Sequence, residues 1–268
     1  MKTLVLANQK GGVGKSAIVV QYAYYLAVLR KLRVLVIDFD HQRNTSKAIR
    51  TGKLATVSAV TSSRILASKM DASSIEHADF VLVAGDADLI KMEKQAAEHN
   101  KFATNLYTFL ASVADRFDVC VIDTNPNPDI RQLASLVVGD FVLSPLQLNQ
   151  EAIDGIGDLL NHDNIGIRKI QATINKKLEL IGILPNIVEP TPFQRENLRD
   201  LLAAFAKLLI PLGDNGGFAA IKKTTAIPEA QAVGLPVWQL GKSSAREAWA
   251  HIRPVFSKIA MQMGMGVE

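Results

Sequence analysis

Cysteine is nearly absent. Cys120 is the only one in 268 residues, so no disulfide can form within the chain, and a disulfide-stapled scaffold is excluded. It sits in the apolar run Val119-Cys120-Val121-Ile122, where a buried structural thiol is expected rather than a reactive one. Long apolar runs are missing too: no stretch reaches the roughly 18 residues that a membrane-crossing helix requires. The N-terminus lacks the uninterrupted apolar region of a secretory leader. These absences point to a reducing, cytoplasmic setting. Charge is not segregated either. Residues 1–150 carry 17 basic and 14 acidic side chains, and residues 151–268 carry 13 and 12, for a net charge of +4. A surface for nucleic acid is permitted, but folding must assemble it.

What remains is the composition of a globular α/β protein, 48% hydrophobic and 21% charged. Its length is compatible with a single domain. Val34-Leu35-Val36-Ile37, Phe80-Val81-Leu82-Val83, Val119–Ile122, Phe141-Val142-Leu143 and Leu180–Leu184 are short, continuous, β-branched runs. That pattern predicts strands of a parallel sheet covered on both faces. Helical patterns alternate with them at 16–29, 89–117 and 195–209, which predicts a doubly wound, mostly parallel sheet flanked by helices. The run 212–217, with Gly213, Asp214, Asn215 and Gly216, is a loop candidate.

The most specific segment is Asn8-Gln9-Lys10-Gly11-Gly12-Val13-Gly14-Lys15-Ser16, directly behind the apolar run Leu4–Ala7. Glycines let the backbone curl around an anion, and the helix that follows offers unpaired N–H groups and the positive end of its dipole. Lys15 can then reach the β- and γ-phosphates while the Ser16 hydroxyl ligates Mg²⁺. Gln9 stands where the strict phosphate-loop template has its first glycine, and an additional lysine, Lys10, follows it.

Two acidic strand ends face the same crevice in a parallel sheet. One is Ile37-Asp38-Phe39-Asp40-His41-Gln42-Arg43-Asn44; the other is Ile122-Asp123-Thr124-Asn125-Pro126. Asp123, after four apolar residues, is the expected acid that holds Mg²⁺. Of Asp38 and Asp40, one is expected to support the metal shell and the other to address the attacking water. Spacing does not decide which does which.

Together these motifs resemble the ParA/MinD group of P-loop ATPases with a deviant Walker A motif. The segment Pro228-Glu229-Ala230-Gln231-Ala232-Val233-Gly234-Leu235-Pro236-Val237 is similar to the E-A-x-x-x-G-x-P stretch of ParA partition proteins. The resemblance implies a P-loop fold and an ATP/ADP site formed by Gly11, Gly12, Val13, Gly14, Lys15, Ser16 and Ala17. It also implies a metal shell of Ser16, Asp38 and Asp123 around Mg²⁺, and a water-directing role for Asp40. Lys10 matches the signature lysine that reaches across a dimer to the partner's nucleotide, a trans cation comparable to an arginine finger. Asn186 matches an adenine-reading position. A working cycle follows from the resemblance: ATP drives a sandwich homodimer, the dimer binds nonspecific DNA on the nucleoid, and a ParB-like centromere-binding or adaptor protein triggers hydrolysis. DNA contacts are expected at Arg195, Lys222 and Lys223, and binding through them would weaken steeply with salt.

The chain departs from the family at several positions. His41 and Arg43 stand where the family has proline and glycine, and Thr124-Asn125 replace a small residue and proline. His41 reads first as a loop histidine in the proline's place, with a catalytic aid as the alternative. Arg43 fits either a solvated loop or a phosphate or DNA contact. With no segment before Lys2 for a helix-turn-helix, sequence-specific operator recognition is not expected. A MinD-like membrane-cycling ATPase needs a basic amphipathic C-terminal helix, which the glycine-interrupted, charge-poor tail 257–266 does not resemble. An iron–sulfur reductase on the same fold needs paired interface cysteines, and a noncatalytic scaffold would not need Lys10, Lys15, Asp40 and Asp123.

Overall fold

The computed structural model describes residues 1–163, 165–213 and 216–266, apart from the side chain of Ala96. The elements in chain order are β1 (Lys2–Leu6), α1 (Lys15–Tyr24), β2 (Val34–Asp38), α2 (Asn44–Gly52), β3 (Thr56–Val57), α3 (Ser62–Ala67), β4 (Phe80–Val83), α4 (Leu89–Met92) and α5 (His99–Val113). They continue as β5 (Val119–Asp123), α6 (Ile130–Val138), β6 (Phe141–Leu146), α7 (Gln150–Asn161), α8 (Ile167–Thr173), β7 (Glu179–Pro185), α9 (Pro192–Phe205), α10 (Ala226–Val233) and α11 (Ser243–Gln262). The strands form one seven-stranded sheet in the order β3-β4-β2-β5-β1-β6-β7, and every strand pair in it is parallel.

Side chains alternate across each strand, so both faces of the sheet need cover. Leu4, Leu6, Val34, Val36, Val119 and Val121 pack beneath α1, α2, α10 and α11. Val5, Ala7, Leu35, Ile37, Cys120 and Ile122 pack on the other face, beneath α3, α5 and α6. This explains the continuous apolar runs: every residue of β2, β4 and β5 is buried on one face or the other. Cys120 is fully buried, as expected of a structural thiol, and burial pushes its pKa well above the ordinary thiol value.

The strand runs fall where the sequence places them, but the helices are less regular. The pattern at 16–29 is not one α-helix: α1 ends at Tyr24 and widens into a π turn over Tyr25–Leu29. That turn seats Tyr25 and Leu26 in the core, with Tyr22 and Tyr25 at 5.2 and 5.8 Å from the Phe256 ring. The pattern at 89–117 is broken as well. α4 stops at Met92, Glu93 turns its carboxylate to Arg131 at 2.5 Å, and α5 starts only at His99. α9 begins earlier than the pattern at 195–209 implies, because Thr191 caps it through the Gln194 amide and Pro192 suits the first turn. In the loop candidate at 212–217, the Leu212 amide donates to the Gly217 carbonyl at 2.9 Å. Asp214 and Asn215 lie outside the described residues.

Candidate functional site

β1 delivers the chain to the carboxyl edge of the sheet at its centre, between β5 and β6, and the glycine loop turns there into α1. Gly12 and Gly14 take φ of 76° and 84°, a left-handed backbone that residues with a Cβ adopt at a cost of about 1–2 kcal/mol. Gly14 also lies against the Asn186 amide, leaving no room for a side chain. Lys15, first residue of α1, folds back over its own loop and donates to the Asn8 carbonyl at 3.0 Å and the Lys10 carbonyl at 3.2 Å. It is buried, and that burial lowers its pKa against the opposing pull of Asp123 and Asp40. Asn8, which sequence reasoning passes over, anchors the loop: its Nδ2 donates to the Pro145 carbonyl at 2.7 Å and its Oδ1 accepts from the Lys10 amide at 2.7 Å.

The three carboxylates occupy different depths. Asp38 and Asp123 end neighbouring strands in direct register, and neither is exposed. Both oxygens of Asp38 are committed: Oδ1 accepts from the Asp40 amide at 3.0 Å, and Oδ2 from the Ser46 hydroxyl and amide at 2.6 and 2.9 Å. Asp123 Oδ2 accepts from Thr45 Oγ1 at 2.6 Å, while its Oδ1 is buried with no hydrogen-bond partner among the described residues. Burial pushes Asp38 up to about 7, with the Asp123 charge adding to it, and Asp123 up to about 6. The Thr45 and Ser16 hydroxyls and the Lys15 charge act against the shift of Asp123. Asp40 follows the strand, and its Oδ1 accepts from the Gln42 amide at 2.9 Å.

The loop and Asp40 border a cavity of about 840 Å³, lined by Gly11 to Ala17, Asp40, His41, Asn127 and Gln231 among others. Asp38 and Asp123 stand behind this lining. A second, more apolar cleft of about 290 Å³ also borders Gly14 and Ala17, and Asn186, Ile187, Ile227 and Phe256 help to line it. Asn186 Nδ2 donates to the Val13 carbonyl at 2.7 Å, so this residue joins the end of β7 to the phosphate loop.

Lys10 points elsewhere. Its ammonium lies 3.6 Å from Glu151 on α7, with 45% and 85% of the two side chains exposed. A pair so open to water contributes little stability. Lys222 and Lys223 are exposed at the rim of the apolar cleft, Lys223 paired with Glu189 at 3.0 Å. Arg195 is exposed in the first turn of α9. The three lie on connected segments: Val188 and Lys222 form a parallel bridge, and the Glu189 amide donates to Gln194 Oε1. The E-A-x-x-x-G-x-P segment is fastened to α1: Gln21 accepts from the Val237 amide and donates to the Leu235 carbonyl, and the Tyr24 hydroxyl donates to the Gly234 carbonyl at 2.8 Å.

A glycine loop leading from a central parallel strand into a helix, backed by carboxylates on adjacent strand ends, defines a P-loop nucleotide-binding fold. A family model described as an AAA domain (AAA_31) matches residues 1–180. The chain is 32% identical over 271 residues to the protein IncC of Escherichia coli, covering 98% of this chain and 70% of that one. It is 28% identical over 237 residues to the chromosome-partitioning ATPase Soj of Treponema pallidum, covering 88% of each. The fold matches the Cyanothece McdA(D38A)–ATP complex with a TM-score of 0.76 and 19% identity, covering 100% of this chain and 98% of that one. The chain belongs to the AAA_31 family, within the ParA/MinD group of P-loop ATPases. Among the described residues, no helix is long and apolar enough to cross a membrane, and no cluster of three or more His, Cys, Asp or Glu side chains could hold a metal.

Proposed function

We propose that this protein is an ATP-dependent dimerising ATPase that binds nonspecific DNA and drives DNA segregation or the positioning of a cargo. The observation that carries the reading is the divergence of the two loop lysines. Lys15 turns inward over its own phosphate loop, whereas Lys10 is half-exposed and paired with the solvated Glu151 on α7. A cation left at the rim of its own site is available to a second copy's nucleotide.

The residues divide the chemistry as follows. Loop amides and Lys15 hold the β- and γ-phosphates, and the apolar cleft beside Asn186 takes the base. The donor set suits Mg²⁺: Ser16 supplies a hydroxyl and Asp123 an unpartnered carboxylate oxygen, with phosphate oxygens completing a shell that protein side chains alone do not form. Bound there, the ion neutralises charge on the phosphates. The sequence places Asp38 in that shell; because its oxygens are occupied by Ser46 and the Asp40 amide, we assign it support of the shell rather than ligation. Asp40, at the cavity wall, orients the attacking water. Lys10 of the opposing subunit would place positive charge beside the negative charge on the phosphate oxygens in the transition state.

DNA binding is assigned to Arg195, Lys222 and Lys223, which cluster around the β7–α9 connection. Lys222 and Lys223 also rim the base cleft, so nucleotide and DNA would share an edge there. A membrane-cycling alternative finds less support, since Ile259, Ala260 and Met263 of the tail are buried in the core and not presented outward. Gel shifts with ATP, ADP and no nucleotide, beside a liposome pelleting assay, test the reading. ATP-dependent DNA retention without vesicle binding supports it; the reverse result replaces it with the membrane alternative.

A further inference from the structure

Arg131, in the first turn of α6, is completely buried, and its guanidinium gathers three chain segments, two of which border the nucleotide cavity. Nε lies 3.2 and 3.1 Å from the two Asp129 oxygens, and Nη2 donates to Asp129 Oδ2 and Glu93 Oε1, each at 2.5 Å. Nη1 lies 3.5 Å from His41 Nδ1. A guanidinium can only donate, so Nδ1 is the acceptor in this contact. His41 Nδ1 is in turn 3.8 Å from Asp40 Oδ1 and 4.0 Å from Glu93 Oε1. On the β5–α6 side, Asn127 Nδ2 donates to Glu93 Oε1 at 3.1 Å and Asn125 Nδ2 to Asp129 Oδ2 at 2.9 Å. The loop after β2, the α4–α5 connection and the loop after β5 are thus tied through one buried cation.

Such a network is a poor way to gain stability. Desolvating an arginine and its carboxylates costs about as much as their attraction returns, and well-packed apolar residues often serve better. What it does supply is fixed geometry, because a planar fork with five donors admits few arrangements. The position of the fork matters: Asp40, His41 and Gln42 from one loop, and Pro126 and Asn127 from another, line the same cavity. His41 occupies the place where the family has proline, a residue with no hydrogen-bonding side chain. A rigid loop residue is here replaced by one that reaches a second loop.

We propose that Arg131 is a positioning residue for hydrolysis. Through His41 and Glu93 it clamps the loop carrying Asp40 to the loop that follows Asp123, so the two sit over the terminal phosphate as one unit. The proposal rests on the water-directing role given to Asp40 above.

The test uses the full chain with His41→Ala and Glu93→Gln, both milder than removing a buried arginine, and with Arg131→Lys as the conservative change that keeps the charge and loses the fork. His41→Ala is expected to lower kcat about tenfold, as displacement of a positioned group does, while ATP affinity stays within about twofold. It should also speed amide exchange across residues 40–46 and 124–129 together. Glu93→Gln, which retains an acceptor oxygen, should show a smaller loss of the same kind, and Arg131→Lys should match His41→Ala. Unchanged exchange at 124–129 in His41→Ala overturns the clamp, as does a kcat within twofold of the parent in all three variants. Coupled exchange in His41→Ala combined with normal turnover in Asp40→Ala leaves the clamp standing and overturns the role of Asp40 instead.

Discussion

Thr45 Oγ1 donates to Asp123 Oδ2 at 2.6 Å, and this bond joins the start of α2 to the acid at the end of β5. One residue further on, Ser46 performs the equivalent service for Asp38 and also accepts from the Gly85 amide at 2.9 Å. The start of α2 is therefore held by the two carboxylates that end β2 and β5. Thr45→Val keeps the shape and removes the donor. Loss of a hydrogen bond to a buried charged group should cost about 1.5–3 kcal/mol, read as a lower Tm of the nucleotide-free protein.

Asp123 carries a penalty for its place in the core. Its pKa is raised to about 6 by burial, above the roughly 3.9 of an unfolded aspartate. An acid whose folded pKa is raised binds its proton more tightly when native, so stability falls as pH climbs from about 4 through about 6. Asp123→Asn removes that charge. In the absence of nucleotide and metal, it should match the parent near pH 4 and exceed it above pH 7, by an amount on the order of 1–3 kcal/mol. The same variant should lose ATP turnover. Thermal melts across this range check the sign directly.

Arg43 holds φ at 60°, in the left-handed region that L-residues enter at about 1–2 kcal/mol. The glycine that the family has at this position meets no such penalty, which gives the departure its physical meaning. Arg43→Gly relieves the strain and restores some chain entropy to the unfolded state, a cost of about 0.5–1 kcal/mol. The net expectation is a change between zero and about 1.5 kcal/mol toward greater stability. Arg43→Val should destabilise, since a β-branched side chain fits that backbone worse. Urea midpoints of the two variants distinguish the outcomes.

Arg195→Glu should weaken ATP-dependent DNA binding and flatten its salt dependence, because one phosphate contact is replaced by a repulsion. Lys223→Glu is a more complex change, since Lys223 already pairs with Glu189. Equal DNA affinity of Arg195→Glu and the parent at several salt concentrations would return Arg195 to an ordinary solvated surface.

The sheet and the phosphate loop are legible in the sequence because their signals are local. Continuous β-branched runs mark strands buried on both faces, and Gly12, Gly14 and Lys15 act through backbone conformation and reach. Asp123 is legible for the same reason, as an acid at a strand end. The helices are less so: the break between α4 and α5 accompanies a contact from Glu93 to Arg131, 38 residues away, which no periodicity records. The support of the site is nonlocal as well. Asn8, Thr45 and Ser46 do their work by meeting Pro145, Asp123 and Asp38, and only folding brings those pairs together. His41 reads as a loop residue until Arg131 is seen beside it.

The central claim is that each subunit completes the other's site through Lys10, and sedimentation of the parent and of Lys10→Ala with Mg²⁺ and either ATP or ADP tests it most directly. The account predicts an ATP-dependent dimer for the parent, and for Lys10→Ala a monomer that still binds ATP with near-parental affinity. A Lys10→Ala protein that dimerises and hydrolyses ATP like the parent would contradict it.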